Sequence, residues 1–215
     1  MIVSCIHEIS KKQCRVIVDE SFAFVLYKGE LHKYGISEGE ELKEPVFCDI
    51  MEHVLPKRAK LRAMNLLKKK MYTEKELTDK LLQGGYPESV VSEAIAYVKD
   101  YHYIDDLAYV QEYIRCYGEK SSRKEIQYKL LKKGIDKNIF SQVMEEQEEN
   151  GLFQDENTLI KKLLIKKKWY GKEFDNTERQ RIYGFFYRKG FSTDKVEQVM
   201  RESILKENPK EESFT

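Results

Sequence analysis

Cysteine is scarce in this 215-residue sequence, and Cys5, Cys14, Cys48 and Cys116 stand far apart. That scatter argues against a disulfide-stapled scaffold and a C-x-x-C metal site. Four prolines and eleven glycines are too few for a loop-rich or disordered chain. No run of about 18 apolar residues exists, so no candidate membrane-spanning helix is present. The opening residues, Met1-Ile2-Val3-Ser4-Cys5-Ile6-His7-Glu8, lack a basic region followed by an apolar one. A secretory signal is therefore not expected, and the cytoplasm is the expected compartment. The signatures of catalysis are missing too: there is no G-x-x-x-x-G-K-[ST], G-x-G-x-x-G or H-E-x-x-H. His7, His32, His53 and His102 have no neighbours at metal-ligand spacing. No catalytic residue, metal or cofactor is expected.

What remains is 41% hydrophobic and 35% charged, with 38 Lys plus Arg almost balancing 37 Asp plus Glu. This composition fits a mainly α protein with a heavily charged surface. Residues 14–27 differ from the rest. Val16 and Val18 alternate, then Phe22, Phe24 and Leu26, with Asp19-Glu20-Ser21 between them. That pattern predicts a β-hairpin. Residues 31–36 fit either a further short strand or a brief turn. A lone hairpin makes a weak core, so residues 1–56 should lean on the helices beyond them. Pro56 marks the expected boundary of this small β-containing extension.

From Lys57 the apolar period becomes helical. Leu61, Met64, Leu67 and Met71 recur at three- and four-residue spacing. Thr73 with Glu76 and Ser122 with Glu125 read as capping boxes. Aligning the helix stops reveals a repeat: Gly85, Gly134 and Gly190 each follow an apolar helix. Nine positions before them stand Glu76, Glu125 and Arg181, each followed by Leu77, Ile126 or Ile182. A repeat near fifty residues is one supersecondary unit used several times. The expected helices are 57–70, 74–84 and 88–100, then 106–117, 122–133 and 137–149, then 156–168, 176–189 and 193–206. The expected organisation is three tandem three-helix repeats, 57–104, 105–154 and 155–206, stacked into an elongated, curved body. A polar tail, 207–215, is expected to fray.

Charge is uneven along this chain. Residues 1–56 hold 6 basic and 10 acidic residues, a net of −4, and the remainder holds 32 and 27, a net of +5. The basic residues come in three bursts. Lys57, Arg58, Arg62, Lys68, Lys69 and Lys70 belong to the first. Lys120, Arg123, Lys124, Lys129, Lys132 and Lys133 form the second, and Lys162, Lys166, Lys167 and Lys168 lie in the third. Repetition would project them as a stripe suited to phosphates or an acidic protein surface, although lysine-rich helices are often only solvated faces. Tyr109, Tyr113 and Tyr117 are compatible with base stacking, but their i, i+4 spacing favours a packed helix face. Trp169-Tyr170-Gly171 reads as more exposed, either a contact site or a loop anchor. Asp105-Asp106 is the most enzyme-like pair. Helix capping by Asp105, with Asp106 at the positive dipole end, is the favoured role over a Mg²⁺ site.

Several segments together carry a family likeness. They are Arg58 to Leu67, Tyr72-Thr73-Glu74-Lys75-Glu76-Leu77, Lys80-Leu81-Leu82, Gly85-Tyr86 and Tyr103-Ile104-Asp105-Asp106 with Tyr109. Further segments are Glu125-Ile126 through Leu130 to Lys133-Gly134-Ile135, and Arg188-Lys189-Gly190-Phe191-Ser192. In order and spacing they resemble the RecX family, bacterial regulators of the RecA recombinase, over about 57–205. Residues 19–24 and Lys33-Tyr34-Gly35-Ile36 resemble the N-terminal extension of its Gram-positive members. The resemblance implies tandem three-helix repeats without enzymatic activity. It implies binding to the recombinase filament on single-stranded DNA, which blocks extension or promotes disassembly. ATP hydrolysis, strand exchange and the SOS response would thereby be restrained. It also implies contact with single-stranded and possibly double-stranded DNA, no membrane, and a monomer. The longer Lys168-to-Arg179 segment departs from the family pattern, so contacts of the third repeat carry over least securely. A sequence-nonspecific nucleic-acid-binding module and a helical protein-binding scaffold are the alternatives.

Overall fold

The computed structural model describes residues 1–149 and 155–207. Most of the expected frayed tail lies outside the described residues. The chain divides into two compact units, Met1–Asp106 and Leu107–Thr215.

The first unit begins with an antiparallel sheet of β1 (Val3–Glu8), β2 (Gln13–Val18) and β3 (Phe22–Tyr27), in that order. The β2–β3 hairpin is the expected one. Its turn places Asp19 at φ 47° and Glu20 at φ 58°. Left-handed backbone at both central positions suits the twist of a tight hairpin. The first strand holds that turn: Ile2 N–H donates to Asp19 Oδ1 at 2.8 Å and Glu20 N–H to Ser4 Oγ at 2.8 Å. β1 itself is an addition to the expected elements. A register shift between Val3 and Cys5 breaks the alternation, so Val3 and Ile6 both reach the core.

Residues 31–36 form neither a strand nor a simple turn. They close a short helix, α1 (Lys28–Tyr34), ended by Gly35 at φ 59°. Pro56 is not a break in the chain's path. It is buried near the start of α3 (Leu55–Leu67), which continues a helical run through α2 (Glu44–Asp49) and a π-helical turn, Ile50–Val54. Proline is tolerated there because first-turn amides have no intrahelical acceptor.

With α4 (Glu74–Gln83) and α5 (Glu88–Asp100), α3 completes the first three-helix repeat. The buried face of α3 is Leu55, Ala59, Ala63 and Leu66, packed in one core with Val16, Phe24, Leu77, Leu81, Ala94 and Val98. The sequence pattern catches only the edge of this face: Met64 and Leu67 pack against the core, but the other two apolar positions do not. Leu61 is 54% exposed and Met71 47%. Alanines give little periodic signal, yet small residues let neighbouring helices approach closely. The sheet also docks on this repeat: a Cβ at Gly85 would collide with Val25 Cγ2.

The second unit contains α6 (Asp106–Tyr117, whose first residue still belongs to the first unit), α7 (Arg123–Lys132) and α8 (Lys137–Glu149), then α9 (Glu156–Lys166), α10 (Asn176–Arg188) and α11 (Thr193–Glu207). Each triplet has its own core. Val110, Ile114, Ile126, Leu130 and Val143 fill the first. Leu159, Ile160, Leu164, Ile182, Phe186 and Val196 fill the second. The caps follow the sequence. Thr73 and Glu76 make a reciprocal capping box, and Ser122 Oγ accepts from Glu125 N–H at 3.1 Å. Gly85, Gly134 and Gly190 adopt φ 80°, 84° and 84°, one left-handed stop per repeat.

Candidate polyanion-binding surface

The three basic bursts lie along and just beyond α3, α7 and α9. In the first unit Lys57, Arg62, Lys68, Lys69 and Lys70 are exposed, and Lys70 Nζ lies 4.3 Å from the Tyr72 ring centroid. Arg58 does not join them. Its side chain is only 15% exposed and pairs with Glu30. Its Nη1 donates to the Val25 carbonyl at 3.1 Å, and the guanidinium covers Tyr27 at 4.4 Å. This arginine fastens α3 to β3 and α1.

In the second unit Lys120, Arg123, Lys124 and Lys132 are exposed, whereas Lys129 and Lys133 are half-buried. Lys129 Nζ donates to Glu125 Oε1 at 2.8 Å, a bond that raises the lysine pKa. Lys133 lies over Tyr109 at 5.6 Å, and Lys132 over Tyr128 at 4.5 Å. Lys162 is exposed in the middle of α9, and Lys166, Lys167 and Lys168 are exposed at its end. Positive charge there complements the helix dipole.

Lys189 joins the second and third bursts. Phe185 carries Lys167 on one approach, 5.2 Å away, and Lys189 on another, 5.7 Å away. Lys189 Nζ reaches Glu125 Oε2 at 3.6 Å, and Ser122 Oγ donates to the Lys189 carbonyl. Gly190 makes this junction possible, because a Cβ there would stand 2.7 Å from Ser122 Oγ and 2.8 Å from Lys124 Cβ. Lys189 lies outside the three bursts as the sequence defines them. Its signal is positional: it directly precedes the stop glycine of the third repeat.

The aromatic candidates divide. Tyr109 and Tyr113 pack on the core of the second repeat, and Tyr113 to Tyr117 is a 4.6 Å ring contact. Burial pushes the Tyr113 phenol pKa up. Trp169 and Tyr170 are half-buried against the third core, with Trp169 edge-on to Phe185 at 5.5 Å. The more exposed placement is thus corrected: these rings anchor a loop. Tyr128 and Tyr187, by contrast, are 59% and 75% exposed.

Asp106 has a structural task. It accepts from Glu74 N–H at 2.9 Å and so satisfies the start of α4. Burial is the main reason its pKa is raised, opposed by that backbone bond. A carboxyl raised above its unfolded value stabilises the fold when protonated, and this contribution is lost as pH rises through the folded pKa. Asp106→Asn, which keeps the acceptor without the charge, should therefore leave neutral-pH stability unchanged or higher. Asp106→Ala should cost about 1 kcal/mol by thermal or urea unfolding. Equal losses in both variants would mean that the carboxylate charge itself supports α4.

Among the described residues, no helix is long and apolar enough to cross a membrane. Comparison with known proteins gives a consistent relationship. Residues 59–97 match the model of the first RecX three-helix domain, and residues 154–200 that of the third. The regulatory protein RecX of Caldanaerobacter subterraneus is 30% identical over 186 residues, covering 86% of this chain and 90% of that protein. That of Clostridium perfringens is 32% identical over 196 residues, covering 86% and 87%. Among solved structures, a regulatory protein RecX shares the fold at 23% identity with a TM-score of 0.59, covering 93% of this chain and 98% of the other. RecX from Lactobacillus salivarius is 28% identical with a TM-score of 0.52, covering 71% and 98%.

Proposed function

The chain belongs to the RecX family of regulatory proteins, and from that premise we propose that it is a noncatalytic modulator, mainly an inhibitor, of the RecA recombinase. It binds the recombinase filament on single-stranded DNA and blocks extension or promotes disassembly. ATP hydrolysis, strand exchange and the SOS response are restrained as a result. The observation that carries this reading is the joined basic surface of the second unit, where Lys189 connects Lys167 to the Glu125–Lys129 pair. Lysine supplies charge and reach without base specificity, which suits a phosphate track or an acidic filament surface.

The first test is the rate of DNA-dependent ATP hydrolysis by the cognate recombinase, with this protein added at substoichiometric amounts to formed filaments. A progressive fall puts the function on the filament, since capping a growing end needs few copies. An unchanged rate, with the protein folded and binding DNA, would move the assignment to a plain nucleic-acid-binding module. Reversing Lys166, Lys167 and Lys168 to Glu should weaken filament binding while circular dichroism stays the same. The slope of log affinity against log salt should become shallower by about one for each phosphate that the variant no longer neutralises. An unaltered slope would remove the third burst from the interface.

A further inference from the structure

A groove of about 900 Å³ opens in the second unit, lined by Lys124, Tyr128, Tyr187, Arg188 and Phe191 among others. Neither tyrosine belongs to the core: Tyr128 is 59% exposed and Tyr187 75%. Exposing two large rings along one groove keeps apolar area in contact with water, a cost that core packing does not explain. Cations accompany both rings. Lys132 Nζ stands 4.5 Å from the Tyr128 centroid, and Arg188 directly follows Tyr187. The groove also contains one carboxylate, Glu125, already engaged by Lys129 at 2.8 Å and Lys189 at 3.6 Å. The net character left for a ligand is positive and aromatic.

We infer that this groove takes an unpaired nucleic-acid strand, with bases stacked on Tyr128 and Tyr187 and phosphates on Lys124, Lys132 and Arg188. An amphipathic protein helix fits less well, because among the described residues no leucine, isoleucine or valine lines the groove to receive aliphatic side chains. Base faces are available only in unpaired strands; in a duplex they are hidden within the stack. The basic surface alone would bind either form through phosphate. The two tyrosines therefore add selection of unpaired over paired strands. The inference rests on the nucleic-acid half of the proposed function, yet its test needs no recombinase.

The full-length protein would be titrated into a fluorescent oligothymidylate and, separately, into a duplex of equal length. Tyr128→Ala and Tyr187→Ala should each weaken single-strand binding by about tenfold, the order expected for one stacked base, and leave duplex binding unchanged. Tyr128→Phe and Tyr187→Phe keep the ring and should retain single-strand affinity. Both tyrosines are exposed, so the alanine variants should melt like the parent protein. Unchanged single-strand affinity in both alanine variants overturns the inference. Equal losses on single strand and duplex also overturn it, since they would leave charge alone as the cause. Should the recombinase assay fail while this selectivity holds, only the filament assignment falls.

Discussion

Replacing Gly190 by alanine is expected to destabilise the second unit by about 2–5 kcal/mol. Two costs add. The backbone sits at φ 84°, where an L side chain loses about 1–2 kcal/mol. The new Cβ would also lie 2.7 Å from Ser122 Oγ, 2.8 Å from Lys124 Cβ and 3.2 Å from Glu125 N. Overpacking of that kind costs about 1–3 kcal/mol. The neighbours cannot simply move aside. Ser122 caps α7 through Glu125 N–H and donates to the Lys189 carbonyl. Displacing it uncaps the helix and frees a carbonyl together. Urea unfolding followed by circular dichroism would read the loss. A cost near 1 kcal/mol would reduce the effect to backbone strain and show that α7 does not abut Gly190. Gly29→Ala is the control: its Cβ would meet nothing within 4 Å and its φ is ordinary.

That glycine also shows what sequence alone can and cannot reveal. The three stops align because each repeat must end a helix with the same left-handed residue. Their spacing locates the repeat helices to within a few residues. The repeat does not reveal that Gly190 is also a contact point with the preceding repeat, since the partner atoms lie some 67 residues away, as in the Ser122–Lys189 bond. In the same way β1 is hidden by its register shift. The face of α3 is hidden by alanines, which bury completely but contribute little periodic hydrophobicity.

The candidate surface is legible as composition and not as geometry. Bursts of lysine mark which helices carry the basic surface. They do not separate Lys132, poised over Tyr128, from Lys129, which is occupied by Glu125. Partners such as Glu30 for Arg58 stand 28 positions away, beyond any local pattern.

Arg58→Ala should accordingly lower the stability of the first unit by about 2–4 kcal/mol, with little effect on polyanion binding. β3 is the last strand of its sheet, so the Val25 carbonyl depends on Arg58 Nη1 for a partner. Glu30 loses its cation, although Oε2 still accepts from Tyr27 N–H at 2.8 Å. Tyr27 loses the guanidinium above its ring. Hydrogen bonds to charged groups contribute about 1.5–3 kcal/mol each, and partial exposure of both side chains keeps the total below the fully buried case. Arg58→Lys should recover only part of the loss, because an ammonium cannot reach both acceptors in the planar fork that guanidinium offers. Lys69→Ala, on an exposed neighbour in the same burst, should change stability by less than about 0.5 kcal/mol. Comparing denaturant midpoints with DNA-binding salt slopes for these variants separates the two roles. If Arg58→Ala kept its midpoint and lowered the slope, Arg58 would return to the binding surface and the α3–β3 fastening would have to lie elsewhere.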